Sequence, residues 1–219
     1  MSPLTRYIAF LCLAAFVFLA AGAPPTIAAA AESGVGAPAM SAATASLHAL
    51  FDREWQREER EHPIDASLRG DRRDNDRWPD RSLAAISVSH RADVAALADL
   101  ARIDRSALSS EDQLSYDLFR WNDRDRIESW RFHEYVLPLN QLDGIQTSGD
   151  LTQTLRFTTA KDYEDWIARL QRFGVYMDQT LALLDAGVKE RRTLPRVVVE
   201  RILPQIADNL AADPRQSTF

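Results

Sequence analysis

The chain has 219 residues, with 26 Lys and Arg against 32 Asp and Glu and a net charge of −6 when His is neutral. That length accommodates one domain with a real hydrophobic core, and the acidic balance argues against nucleic acid as a partner. The only cysteine is Cys12, so no disulfide, thiolate nucleophile or cysteine-based metal site is available downstream of it.

At the amino terminus Arg6 precedes an apolar run, Tyr7 to Ala21, that ends in small residues. This is the pattern of a signal peptide. The run is shorter than the roughly 20 residues that cross a bilayer as a helix, and Pro24 and Pro25 end any helix that follows it. Small residues at Ala28 to Ala31 place cleavage near Ala29 or Ala31, which makes residues 1–31 the expected signal peptide. Cys12 lies inside the apolar run after Leu11 and does not form a lipid-attachment signal. The expected location is therefore the periplasm or the extracellular space, with no membrane contact after cleavage. Cleavage removes Arg6 and no acid, moving the net charge from −6 to −7. Residues 32–46 are Ala, Gly, Ser and Pro with almost no charge, a flexible leader without a core. Residues 47–219 form the expected helical domain.

The first helix is expected from about Ala42 to Glu61, with Leu47, Leu50, Phe51 and Trp55 on one stripe and a charged string opposite. From Pro63 to Asp80 the composition is Asp, Arg and Gly, which predicts a long ordered loop. A second helix starts at Ser82 as cap and turns Leu83, Ile86, His90, Val94, Leu97 and Ala101 inward. Ser110 with Gln113 forms a capping-box pattern for a third, whose stripe runs through Leu114, Leu118, Trp121 and Ile127. Pro138, Gly144 and Gly149 mark a break, and a short helix is expected around Asp150 to Leu155. Thr159 with Asp162 opens the longest helix, with Tyr163, Trp166, Ile167, Leu170, Phe173, Met177, Leu181 and Leu184 inward and Gly187 as its stop. A last helix begins near Pro195 with Val198, Ile202, Ile206 and Leu210, interrupted at Pro204. No strand alternation and no repeat occur. The fold class expected is all-α, an irregular antiparallel helical array with long loops.

Candidate chemistry is sparse. The histidines are His48, His62, His90 and His133, and none belongs to a metal-ligand pair. His133 with Glu134 opens a zinc-peptidase-like HE, but a zinc helix needs a second His four residues on, and that position is Leu137. The residue pattern therefore predicts no zinc at His133, whose expected role is to bond a neighbouring backbone group. No G-x-S-x-G and no Gly-rich phosphate loop occur. The acid pairs Glu58 with Glu59 and Asp123 with Asp125 read as solvated helix faces, and Trp55, Trp121, Trp130 and Trp166 read as core. No catalytic, cofactor-binding or metal residue is assigned.

The blocks Leu114 to Thr147, which contains HEYVLPLNQLDGIQT, and Phe157 to Ile206, which contains KDYEDWIARL, together with HPIDASLRGDRRDNDRWPD, resemble the bacterial family called domain of unknown function 885. The resemblance covers essentially the whole mature chain. It implies longer, exported, helical proteins that look like zinc-dependent peptidases with an HExxH helix and a downstream Glu ligand. It also implies zinc as the cofactor of full-length members and peptides as a partner class. No residue here matches that metal helix, which lies in the carboxy-terminal part of such proteins, so the chain is expected to be the amino-terminal part of a larger peptidase-like fold.

Three functions follow in order of preference. The first is a truncated or partial member, inactive alone, whose partner is the missing carboxy-terminal half of its own fold. The second is a free-standing exported helical binding or scaffold module. The third is an enzyme acting through residues the sequence does not identify.

Overall fold

A computed structural model describes residues 41–210. The expected signal peptide, Cys12, most of the leader and residues 211–219 lie outside the described residues. Within them the chain is all-α, as expected, with no strand. Its α-helices are α1 (Ala42–Glu61), α2 (Pro63–Arg69), α3 (Leu83–Leu100), α4 (Ser110–Ser129), α5 (Leu151–Thr154), α6 (Ala160–Gln171), α7 (Phe173–Lys189) and α8 (Arg196–Asp208). Short 3-10 turns at Arg105–Ala107, Trp130–Phe132, Glu134–Val136 and Ile145–Asp150 join them. No helix among the described residues is long and apolar enough to cross a membrane.

Helix starts follow side-chain chemistry. A serine or threonine oxygen in extended backbone accepts one of the orphan N–H groups of the first turn, worth about 1 kcal/mol. Ser41 Oγ accepts from Thr44 N at 3.1 Å, so α1 takes in Ala42–Ser46, which composition groups with the leader. Ser82 Oγ does the same for Ala85 N at 3.1 Å. Thr159 and Asp162 close a full capping box on α6. The cap of α4 is Ser109 rather than Ser110: its Oγ accepts from Asp112 N at 3.1 Å, and Gln113 instead donates through Nε2 to Leu108 O at 3.0 Å.

Three expectations about boundaries are corrected. Pro63 begins α2 instead of opening a loop, because proline at the first helical position gives up only an N–H that has no partner there; Gly70, at φ 98°, ends that helix in the left-handed region. The long helix expected from Thr159 breaks at Arg172 (φ −92°, ψ −1°), whose guanidinium binds the backbone carbonyl of Asp76 at 2.6 Å. In one straight helix Trp166 and Tyr176 would stand about 80° apart, whereas the break lets both rings meet Trp78, at 6.4 and 5.1 Å between centroids. Gly187 is not a stop but a buried position inside α7. A Cβ there would come within 2.9 Å of Val136 O and 2.8 Å of Arg192 O, so the glycine lets the Glu134–Val136 turn lie against the helix.

Two apolar clusters result. Leu47 and Leu50 of α1, Ala96 and Leu100 of α3, Leu108 and Tyr116 form the first, with Phe51 and Phe119 in ring contact beside it. Trp78, Leu151, Trp166 and Tyr176 form the second, with Ile64, Phe157, Leu170 and Phe173 around it. α8 lies on the Ile145–Asp150 turn, buries Ile202, and stays helical past Pro204.

The expected stripes are displaced on α3, α4, α6 and α7. Leu83, Val94, Leu114, Leu118, Tyr163, Ile167, Met177 and Leu181 are exposed. Asp93, Ala96, Tyr116, Asp123, Arg169, Thr180 and Leu183 are buried in their place, while Trp166 of the expected stripe is buried as read. On α3 and α4 the reason is a charged seam between them and α1. Arg57 of α1 reaches Asp93 of α3 at 2.5 Å and Glu54 at 2.8 Å, and Arg126 of α4 reaches the same Asp93 at 3.1 Å. An ion can be buried when it is paired and hydrogen-bonded, so hydrophobic periodicity alone selects the wrong face. Of the acid pairs read as solvated, Glu59 is buried against Arg69 and Asp123 is only 3 % exposed, while Asp125 is exposed. Of the tryptophans read as core, Trp166 is buried but Trp121 is 67 % exposed, and Trp55 is exposed with the Arg69 guanidinium over its ring at 5.1 Å.

Candidate functional site

The loop after α2 runs back across α6, and polar contacts fasten it there. Arg72 Nη1 donates to Asp162 Oδ1 at 3.0 Å, Arg172 holds Asp76, and Trp78 Nε1 donates to Arg169 O at 2.6 Å. Between α2, this loop and the Thr154–Phe157 segment lies a cavity of about 410 Å³. Its wall carries three arginines, Arg69, Arg72 and Arg156, with Ser67 and Asn75 as polar neighbours and Phe157 and Trp166 as aromatic ones.

These charges are not equally committed. Arg69 is neutralised by buried Glu59. Arg72 is neutralised by Asp162, the one acid in the wall. The backbone N–H of Thr158, then that of Thr159 and both threonine hydroxyls, hold the Asp162 carboxyl down at about 2. Arg156 is exposed and makes no ion pair or hydrogen bond among the described residues.

Behind the wall stands Arg169, which is 0 % exposed. Its Nη2 donates to Ser67 Oγ at 2.9 Å and to Asp74 O at 3.1 Å, and its guanidinium carbon lies 5.8 Å from the Trp78 ring centre. The N–H of Nε and the pair on Nη1 meet no acceptor. No carboxylate reaches Arg169: Asp76 is taken by Arg172 and Asp165 by Lys161. Burial pushes this guanidinium down to about 10. A buried arginine without a counter-ion is unusual, because removing an unpaired charge from water costs several kcal/mol. Hydropathy reading passed over it, since an arginine among apolar neighbours on a helix reads as surface.

The histidines do not converge. His48 Nε2 lies 2.9 Å from Asp112 Oδ1, and His62 caps the end of α1 near Glu58. His90 stacks on Trp130 at 4.1 Å. His133 sits between two 3-10 turns in the left-handed region (φ 53°, ψ 34°), with Nδ1 2.6 Å from Glu190 Oε2, a carboxylate rather than the expected backbone group. Among the described residues no three His, Cys, Asp or Glu side chains are grouped as a metal would need.

No curated protein and no solved structure matches this chain. A protein family does: the one described as bacterial protein of unknown function (DUF885) matches residues 63–219.

Proposed function

The chain belongs to the DUF885 family, and from that premise we propose that its helices are a non-catalytic part of an exported zinc-peptidase-like protein. They wall one side of a peptide cleft, while the HExxH helix and downstream Glu implied by the family resemblance belong to another part of the family fold, with which these helices pack. The backbone at His133 and Glu134 carries the reading. An HExxH site needs two imidazoles one helical turn apart on one face. Here the HE dipeptide lies across a left-handed break between 3-10 turns, Leu137 takes the second position, and Glu190 engages the imidazole. Exposed Leu181 and Val188 on α7 and Val197 and Leu203 on α8 support packing against further protein.

The test is metal analysis and a peptide-hydrolysis assay on the purified chain after dialysis. The reading expects no stoichiometric zinc and no hydrolysis. One tightly held zinc per chain, lost on His133→Ala, overturns it. A free-standing exported binding module is the second reading, favoured by the arginine-walled cavity, which is complete among the described residues.

A further inference from the structure

We propose that the cavity between α2 and α6 binds an organic carboxylate carrying an apolar body, with Arg156 and the Ser67 hydroxyl on the carboxylate and Phe157 and Trp166 against the body. This does not rest on the peptidase reading, since it concerns only residues of this cavity.

The first support is charge. Once Arg69 is matched by Glu59 and Arg72 by Asp162, the wall retains Arg156 with no partner and Arg169 behind it with no counter-ion. Asp162 cannot answer either, because Arg72 and the N–H and hydroxyl groups of Thr158 and Thr159, just before α6, already occupy its oxygens. An anion from outside completes this arrangement; a cation would meet uncompensated arginine.

The second support is the route by which Arg169 acts. Its Nη2 donates to Ser67 Oγ, and Ser67 lines the cavity. That hydroxyl now donates to Pro63 O or Asn75 Oδ1, each at 2.7 Å. Swung towards the cavity, the same proton reaches a carboxylate, and the buried cation behind it strengthens the donor in a site of low dielectric. Arg169 is thus a positioning residue for Ser67, while Arg156 supplies a planar fork suited to bidentate carboxylate recognition.

The third is shape. The cavity, of about 410 Å³, is within the volume range of small-molecule sites, and Phe157 and Trp166 line it together with the polar groups. A peptide carboxy terminus and a free organic acid share this chemistry.

The full chain is titrated calorimetrically, and by tryptophan fluorescence, with N-acetylphenylalanine, N-acetylphenylalanine amide, the peptide Gly-Gly-Phe, its amide, and inorganic phosphate. The acids should bind, and each amide should bind at least about tenfold more weakly, the loss of one charge-assisted pair. Gly-Gly-Phe binding more tightly than N-acetylphenylalanine identifies a peptide terminus; the reverse order identifies a free acid. Arg156→Gln, an exposed change, should weaken binding about tenfold without moving Tm. Arg169→Met should weaken binding in the parent but not in a Ser67→Ala background, and Arg169→Lys should restore part of the loss, which a merely structural role would not produce. If Arg169→Met fails to fold, the Arg156→Gln result decides. Equal binding of acid and amide, no binding of either acid at millimolar concentration, phosphate competing as well as the acids, or an unaffected Arg156→Gln variant each overturn the proposal.

Discussion

Trp78 Nε1 donates a 2.6 Å hydrogen bond to the main-chain carbonyl of Arg169, tying the loop after α2 to the last turn of α6. The same carbonyl also accepts from Arg172 N at 3.1 Å, and the indole packs against Tyr176, Phe173 and Trp166. Trp78→Phe keeps most of the ring and removes the donor, so it should cost about 1–2 kcal/mol. Trp78→Ala should cost about 3–5 kcal/mol by adding a cavity. Denaturant unfolding of the two variants measures both; a neutral Trp78→Phe would mean the hydrogen bond contributes nothing, and equal losses would mean the ring packing adds nothing.

Asp123 gives the fold a pH dependence. Burial pushes its carboxyl up from 3.8 to about 6; Arg126, 3.9 Å away, only partly offsets this, and Oδ2 has no partner. The folded value lies above the unfolded one, so this residue's contribution is full below about pH 4 and is lost as pH rises through about 6. At 1.36 kcal/mol for each unit, the loss is about 2–3 kcal/mol. Asp123→Asn should therefore raise stability by up to that amount at pH 7.5 and by almost nothing at pH 4. Thermal unfolding at the two pH values checks it; a gain of equal size at both would refute the burial account.

Gly187→Ala tests a sign. In an open helix the change gains about 1 kcal/mol. Here the new methyl meets Val136 O at 2.9 Å and Arg192 O at 2.8 Å, both backbone atoms, which cannot give way as a flexible side chain would. The expected outcome is a loss of about 1–3 kcal/mol, measured as a lower unfolding midpoint.

Two tryptophans that look alike in sequence should behave oppositely. Trp121 stands 67 % exposed on α4, and Trp121→Gln should change stability by no more than about 0.5 kcal/mol. Trp166 lies in the second cluster, and Trp166→Ala should cost about 3–5 kcal/mol. Unfolding curves of both, measured together, separate surface from core.

Local chemistry made much of the architecture readable from the residues. Ser82 and Thr159 with Asp162 announce helix starts because a short polar side chain beside free N–H groups acts within its own few residues. The ends of α1 and the start of α8 are equally local. The same holds for the absence of an HExxH helix, since the second histidine of that motif must lie four positions after His133. Which face of α3, α4, α6 and α7 is inside was not readable in this way, whereas Leu47 and Leu50 of α1 and Ile202 of α8 are buried as expected. Asp93 of α3 is tolerable in the interior only because Arg57 of α1 and Arg126 of α4 reach it. No window along the chain contains that pairing. Trp78 shows the same dependence, polar by its surroundings in sequence yet central to a cluster with residues about ninety positions away. The candidate site is the extreme case: Arg169 and Ser67 are brought within 2.9 Å by the loop that Trp78 fastens, and Arg156 joins the same cavity from the segment between α5 and α6. Sequence determined most helix starts, because caps are decided by neighbours along the chain. Tertiary structure decided burial and the site, because the worth of a charge depends on which distant partner stands beside it.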